Sequence, residues 1–471
     1  MQRLSGLDSG FFYLDTPGMN LHIGVILLLE APQVSRLDLL ATIREHMQDR
    51  LPWMHHFQDL IVEVPFGLAE PYWARNAQFN IADHVTQIDD NRELTKEDLI
   101  AFLGEFISIP LDKSRSLWEV KVVPCVEGNR IAFIAKLHHA LIDGVQGVEV
   151  LVSLLDFEPN PTEFWGESTP CFSNENSDAN LVLEVGRSIF KKIQSAPKDL
   201  VMALNLVEQW FSFRSEADNA NLIKPAFGAP KTPINGALSP TRVAHALNIP
   251  LQRVTDLAKG AGVTVNDVVM VMVSLALDGY LSDKGWSGGK DLTAMMPIAK
   301  SKRDSNGGSN QISSMFVSLA NSIADPIERL SAISRATKAA KNFHINAGLN
   351  EAIRLAEYVP PIITRNVSRL MHEARVFDIL PPLYNVLIST LNGTPMPLYF
   401  DGLQLLEIIP FGPLADSSGL NVTSLSYNGQ FSVGFVGESH LAGDLDKFAQ
   451  NFVEALDKLT VVLLDHGVGI S

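Results

Sequence analysis

Apolar periodicity in this chain alternates between the two-residue step of a strand and the longer step of a helix, and it does so on both sides of one polar break. Before the break, residues 23–30, 119–126 and 130–137 read as strands, the last two joined by a turn at Gly128-Asn129. Residues 35–50, 95–106 and 144–155 read as helices, the first with Ser35 in the N-cap position. From about 158 to 180 the pattern gives way to Pro, Ser, Asn and Glu. A long helical region then covers 181–213, interrupted near Pro197, and a Pro/Gly-rich stretch at 224–240 makes the crossing. Beyond it come strands at 241–249 and 291–297, and helices at 250–260, 263–281, 325–342 and 443–464. A hairpin over 420–427 and 430–436 turns at Asn428-Gly429. Mixed strands and helices in two stretches predict an α/β protein in two halves. The expected units are 1–180, a connector at 181–240, and 241–471.

Several function classes drop out on composition. At 471 residues the chain is long enough for more than one core. Its net charge of −16, from 37 basic and 53 acidic residues, argues against a nucleic-acid partner. Cys125 and Cys171 do not form a CxxC pair, so neither a zinc site nor a disulfide framework is expected, and a reducing cytoplasm fits. The first ten residues lack the pattern of a secretory signal. The most apolar runs, 21–29 and 263–277, fall short of the roughly 18 residues a membrane span needs. The expectation is a cytoplasmic protein, with contact at a membrane face left open.

The chemistry concentrates at the end of the 130–137 strand, in His138-His139-Ala140-Leu141-Ile142-Asp143-Gly144. With period 2, Phe133, Ala135, Leu137 and His139 point one way and Ile134, Lys136 and His138 the other. The adjacent histidines therefore do not converge on one metal ion, and no metal is expected. His139 shares its face with apolar side chains. Desolvation disfavours imidazolium and leaves a neutral base able to take a proton from an alcohol. Asp143 lies in the turn before the next helix, where it either orients a histidine or anchors the loop. Gly144 lets the chain turn there. The plainer alternative makes both histidines packed core residues and Asp143 a helix cap.

This stretch resembles the HHxxxDG motif of the CoA-dependent acyltransferase superfamily, and more narrowly the bacterial wax ester synthase/acyl-CoA:diacylglycerol acyltransferases. The resemblance runs almost from end to end. It includes Leu4-Ser5-Gly6-Leu7-Asp8, Met19-Asn20-Leu21-His22-Ile23-Gly24, Phe79-Asn80-Ile81 with His84-Val85, and the block from Leu111 to Glu119. It continues through Val263-Thr264-Val265-Asn266-Asp267-Val268-Val269, Gly412-Pro413-Leu414-Ala415-Asp416, Gly419-Leu420-Asn421-Val422 and Ser426-Tyr427-Asn428-Gly429. Two blocks depart from the pattern. Ser116 stands where the family usually has proline, and Ser389-Thr390-Leu391-Asn392-Gly393-Thr394 stands in place of SNVPGP. The resemblance implies two chloramphenicol-acetyltransferase-like halves, mixed sheets with flanking helices, and an active-site tunnel at their interface. It implies acyl-CoA as donor substrate, a long-chain alcohol or diacylglycerol as acceptor, and no cofactor. His139 would be the general base of a direct transfer, with His138 and Asp143 completing the catalytic set and Gly144 supporting it.

Asn266 and Gly144 are then candidates for substrate binding and the oxyanion, Asn266 at a helix start where Thr264 and Asp267 fit a capping box. Lys300, Lys302 and Arg303 are candidates for the CoA phosphates, or else a solvated loop. The basic amphipathic region 181–213 suits a membrane or lipid-droplet surface, or packing across the two halves. Gly285-Trp286-Ser287-Gly288-Gly289 fits GxSxG only as a string, since the order is helix, loop, strand rather than strand, turn, helix. His55-His56 lacks the Asp-Gly partner and reads as packing or surface. Two alternatives stand beside the acyl-CoA reading: a condensation-type acyltransferase fed by a carrier-protein thioester, and a non-catalytic lipid-surface protein.

Overall fold

The structure, a computed structural model, describes residues 2–16, 18–32, 36–65, 70–90, 92–142, 147, 150–151, 153–161, 228–299, 312–346, 361–415 and 417–465. In chain order the strands are β1 (Gln2–Arg3), β2 (His22–Glu30), β3 (Asp59–Val62), β4 (Tyr72–Arg75), β5 (Val85–Gln87), β6 (Trp118–Val126), β7 (Arg130–His138) and β8 (Arg242–Pro250). They continue with β9 (Thr293–Ala299), β10 (Ile312–Ser318), β11 (Val386–Asn392), β12 (Tyr399–Phe400), β13 (Leu403–Phe411), β14 (Leu420–Tyr427) and β15 (Gln430–Glu438). The helices are α1 (Gly6–Leu14), α2 (Arg36–Arg50), α3 (Ile81–His84), α4 (Lys96–Ser108), α5 (Leu251–Ala261), α6 (Val265–Asp283), α7 (Pro326–Asn346), α8 (Pro361–Glu373) and α9 (Leu445–Asp465).

Two six-stranded sheets organise these elements, in the orders β12-β13-β2-β7-β6-β5 and β10-β9-β11-β14-β15-β8. Both are mixed. In the first only β5 and β6 run parallel, and in the second β11 runs parallel to both β9 and β14. Local chemistry sets the tight connections. Asn428 and Gly429 hold positive φ of 45° and 79° between β14 and β15, and Gly128 and Asn129 hold 75° and 57° between β6 and β7. Positive φ at both turn residues matches the right-handed twist of the flanking strands. Thr95 and Thr264 start α4 and α6 with complete capping boxes to Asp98 and Asp267. Helix α5 ends two residues beyond the expected glycine, at Gly262, which takes the left-handed conformation at φ 65°.

Helix α6 is long and apolar enough to cross a membrane. It is instead a core helix: Val268 to Val273, Ala276, Leu277, Tyr280 and Leu281 are all buried, in one cluster with α7 and α9. Strand β7 is apolar on both faces because both are covered. Phe133, Ala135 and Leu137 enter one cluster, and Ala132 and Ile134 enter another with Leu99, Leu103 and Phe106 of α4.

The expected C-terminal unit 241–471 does not keep its strands to itself. β13 pairs antiparallel with β2, from Phe411 opposite Gly24 to Leu405 opposite Leu29, so β12 and β13 extend the first sheet. On the way, β13 crosses over β15 at Gly434, where a Cβ would collide with the Pro410 carbonyl oxygen. Gly434→Ala should therefore destabilise the protein by about 1–3 kcal/mol, the cost of overpacking a tight core. Urea unfolding monitored by circular dichroism measures it; unchanged stability would mean the two strands separate easily. A second join lies at α4 and β8. There the Arg242 main-chain N–H donates to Ser108 Oγ at 2.8 Å, and the buried Arg242 guanidinium donates to the Gly18 carbonyl at 2.6 Å.

Candidate active site

His139 is the first residue past β7. Its main-chain N–H donates to the Leu21 carbonyl at 2.8 Å, which carries the β2–β7 pairing one residue beyond both strands. Its ring lies against Phe11 of α1, with centroids 4.2 Å apart and planes inclined by 33°. The residue is half-buried, and Nδ1 is buried with no hydrogen-bond partner among the described residues. Burial lowers its pKa to about 4. Neighbouring His138 pushes the same way, and a contact with its own main chain opposes. At neutral pH this ring is uncharged.

His138 faces the other way and is fully buried. Its main-chain N–H donates to the Leu117 carbonyl at 3.0 Å, and its Nδ1 accepts from the Ala140 N–H at 3.0 Å. A nitrogen that accepts carries no hydrogen, so the ring proton sits on Nε2. Nε2 faces Asp15 Oδ2 at 3.5 Å, an electrostatic contact longer than a hydrogen bond. Asp15 is the C-cap residue of α1 and also contacts Lys113 Nζ at 3.0 Å. Burial alone would raise the Asp15 pKa, but His138 and Lys113 outweigh it and hold the carboxyl at about 2. Directly opposite His138 in the β2–β7 register sits His22, whose Nδ1 lies 3.1 Å from the Ile107 carbonyl and whose ring centroid is 6.1 Å from that of His138. Among the described residues no group of three His, Cys, Asp or Glu side chains is placed to hold a metal ion.

Residues 4–269 match the wax ester synthase/diacylglycerol acyltransferase catalytic domain, and residues 308–460 match the C-terminal domain of the same family. The chain belongs to the wax ester synthase/diacylglycerol acyltransferase family. Similar to it is the O-acyltransferase WSD of Acinetobacter baylyi, 27% identical over 446 residues that cover 93% of this chain and 92% of that one. The wax ester synthase/diacylglycerol acyltransferase of Marinobacter aquaeolei VT8 superposes with a TM-score of 0.68 at 21% identity, covering 98% of this chain and all of that one. The first condensation domain of a calcium-dependent antibiotic synthetase shares the fold, with a TM-score of 0.60 at 15% identity and coverage of 98% and 96%. The chain is thus an O-acyltransferase of this family, built on the two-lobed mixed-sheet fold that the resemblance implies.

The structure keeps the two histidines on opposite sides, as the alternation along the strand predicts. His139 is half-buried, whereas His138 is fully buried. Asp143 and Gly144 lie outside the described residues, as do Lys300, Lys302, Arg303 and the 181–213 region. Asn266 is half-buried in the first turn of α6, where its Nδ2 approaches Met270 Sδ at 4.0 Å on its own helix. It makes no hydrogen bond to either histidine of the motif among the described residues. Its neighbour Asp267 is buried. It caps α6 and accepts from Thr337 Oγ1 at 2.6 Å and Ser334 Oγ at 3.2 Å. His56 packs flat on Trp73 with centroids 4.5 Å apart, and its Nδ1 lies 2.9 Å from Asp59 Oδ2, a packing role. The GxSxG string falls in the loop between α6 and β9, as expected. Sequence reasoning missed α1 as part of the site. Phe11 and Asp15 are one helical turn apart, which puts them on one face of a helix, but nothing in their local pattern says which strand that face meets.

Proposed function

We propose that this chain transfers a fatty acyl group from acyl-CoA to the hydroxyl of a long-chain alcohol or a diacylglycerol. The observation that carries the reading is the half-buried imidazole of His139, kept uncharged by burial at the end of a central strand. In this reading His139 takes the hydroxyl proton as the alcohol oxygen bonds to the thioester carbon. The tetrahedral oxyanion then collapses, the C–S bond breaks, and the imidazolium returns the proton to the CoA thiolate. General-base help of this kind is worth about 100- to 10,000-fold. Substrates meet His139 in a tunnel between the lobes, donor from one side and acceptor from the other. Lys300, Lys302 and Arg303 are proposed contacts to the CoA phosphates, and Asn266 remains a proposed oxyanion donor. His138, enclosed as it is, is proposed to position His139 rather than to touch substrate. The apolar substrates suit a cytoplasmic enzyme that works peripherally at a membrane or lipid inclusion.

The test is product analysis of the purified protein given palmitoyl-CoA with hexadecanol, with a diacylglycerol, or with no acceptor. Free CoA should appear only when a hydroxyl acceptor is present, together with one equivalent of ester. Rapid CoA release without acceptor would identify a thioesterase. Turnover restricted to a carrier-protein thioester would identify a condensation-type enzyme, whose fold this chain shares.

A further inference from the structure

We propose that Asp15 is a positioning residue for the transfer: it fixes the proton on His138 Nε2, and through His138 it holds the turn that presents His139. The inference rests on the reading of His139 as the base. Helix α1 reaches both histidines from positions one turn apart, with Phe11 against the His139 ring and Asp15 facing His138 Nε2 at 3.5 Å. The Asp15 side chain is only 7% exposed and Lys113 Nζ lies 3.0 Å from the same oxygen, so the carboxylate is held in one place.

Between them, Asp15 and the Ala140 N–H define the state of His138. Ala140 donates to Nδ1 at 3.0 Å, which requires that nitrogen to be bare. With the proton on Nδ1 instead, two N–H groups would point at each other and the turn from 138 to 140 would open. His139 is the middle residue of that turn. Among the described residues, its other ties are the hydrogen bond from its N–H to the Leu21 carbonyl and the contact with Phe11. An anion at Nε2 favours the tautomer that keeps the turn closed. Lys113 in turn keeps the anion aimed, reaching over the Phe12 ring at 4.5 Å.

The test uses full-length wild type with Asp15→Ala, Asp15→Asn, His138→Asn and the double variant Asp15→Ala/His138→Asn, assayed for ester formation beside His139→Ala. Asp15→Ala should lower kcat by about 10- to 100-fold, the range for removing an outer partner of a functional imidazole, with KM for both substrates unchanged. Asp15→Asn removes the anion while keeping the size of the side chain, and should lose kcat over a similar range. Asparagine at 138 keeps an oxygen for the Ala140 N–H but has no Nε2, so Asp15→Ala should have no further effect in that background. Histidine 15N spectra should show His138 leaving the Nε2–H tautomer in Asp15→Ala. Wild-type kcat in Asp15→Ala would overturn the proposal, as would additive losses in the double variant. If Asp15→Ala does not fold, wild-type-like turnover in Asp15→Asn overturns it, and a loss larger than tenfold there supports it. Full activity in His139→Ala would defeat the reading of the base, a result distinct from any of these.

Discussion

Replacing His139 with alanine should lower the rate of ester formation by about 100- to 10,000-fold, the contribution of a positioned general base, with little change in KM for acyl-CoA. Among the described residues the ring is half-buried and its main-chain N–H carries the bond to Leu21, so truncation leaves that strand pairing in place. His139→Asn, which keeps a polar group of similar size without basicity, should be as impaired. The pH profile gives an independent reading. The base works only when neutral, and burial keeps its pKa near 4. In the wild type, kcat/KM should therefore stay level from neutrality down through pH 6 and fall only as pH approaches about 4. A midpoint near the ordinary histidine value of roughly 6.5 would mean that the ring is solvated in the free enzyme. Undiminished turnover in His139→Ala would remove the basis for the mechanism.

Acid should destabilise the protein through His22 well before it reaches the carboxylates. His22 is 2% exposed and lies 3.1 Å through Nδ1 from the Ile107 carbonyl. Its pKa is lowered to about 3, first by burial and then by neighbouring His138; the Ile107 bond and Asp15 oppose, and Lys136 adds to the lowering. In the unfolded chain a histidine titrates near roughly 6.5. Above that pH neither state binds the proton and the buried neutral ring carries no penalty. As pH falls below it, the unfolded chain takes up a proton that the folded protein refuses. Stability is then lost at about 1.4 kcal/mol per pH unit until the folded pKa is reached. Asp15 acts in the same direction at lower pH, because its stabilising charge disappears between the ordinary aspartate value of roughly 3.9 and about 2. His22→Asn, whose amide can still donate to Ile107, should flatten the dependence of unfolding free energy on pH by one proton between about pH 6 and 4.5. Urea titrations across that range measure it; parallel slopes in variant and wild type would show that His22 is protonated in the folded protein.

Much of this protein was legible without coordinates, because the signals concerned are local. The capping pair Thr264 and Asp267, the Asn428-Gly429 turn and the alternation along 130–138 are short-range matters of hydrogen bonding and backbone sterics, and each appears as read. The same alternation separated His138 from His139 and foresaw a desolvated His139 ring. Other features depended on contacts distant in sequence. Nothing local in residues 403–411 indicates that they leave their own half to pair with β2, since an apolar strand is equally suited to either sheet. The short α1 carries no signal that it would cover the end of β7. Only the tertiary structure decided that Asp15, 123 positions before His138, would be its charged neighbour. The sequence by itself determined which side chains could be base, cap or turn, because those roles follow from chemistry and nearest neighbours. Which anion meets which imidazole was settled by packing, since burial forces polar groups that are far apart in the chain to satisfy one another.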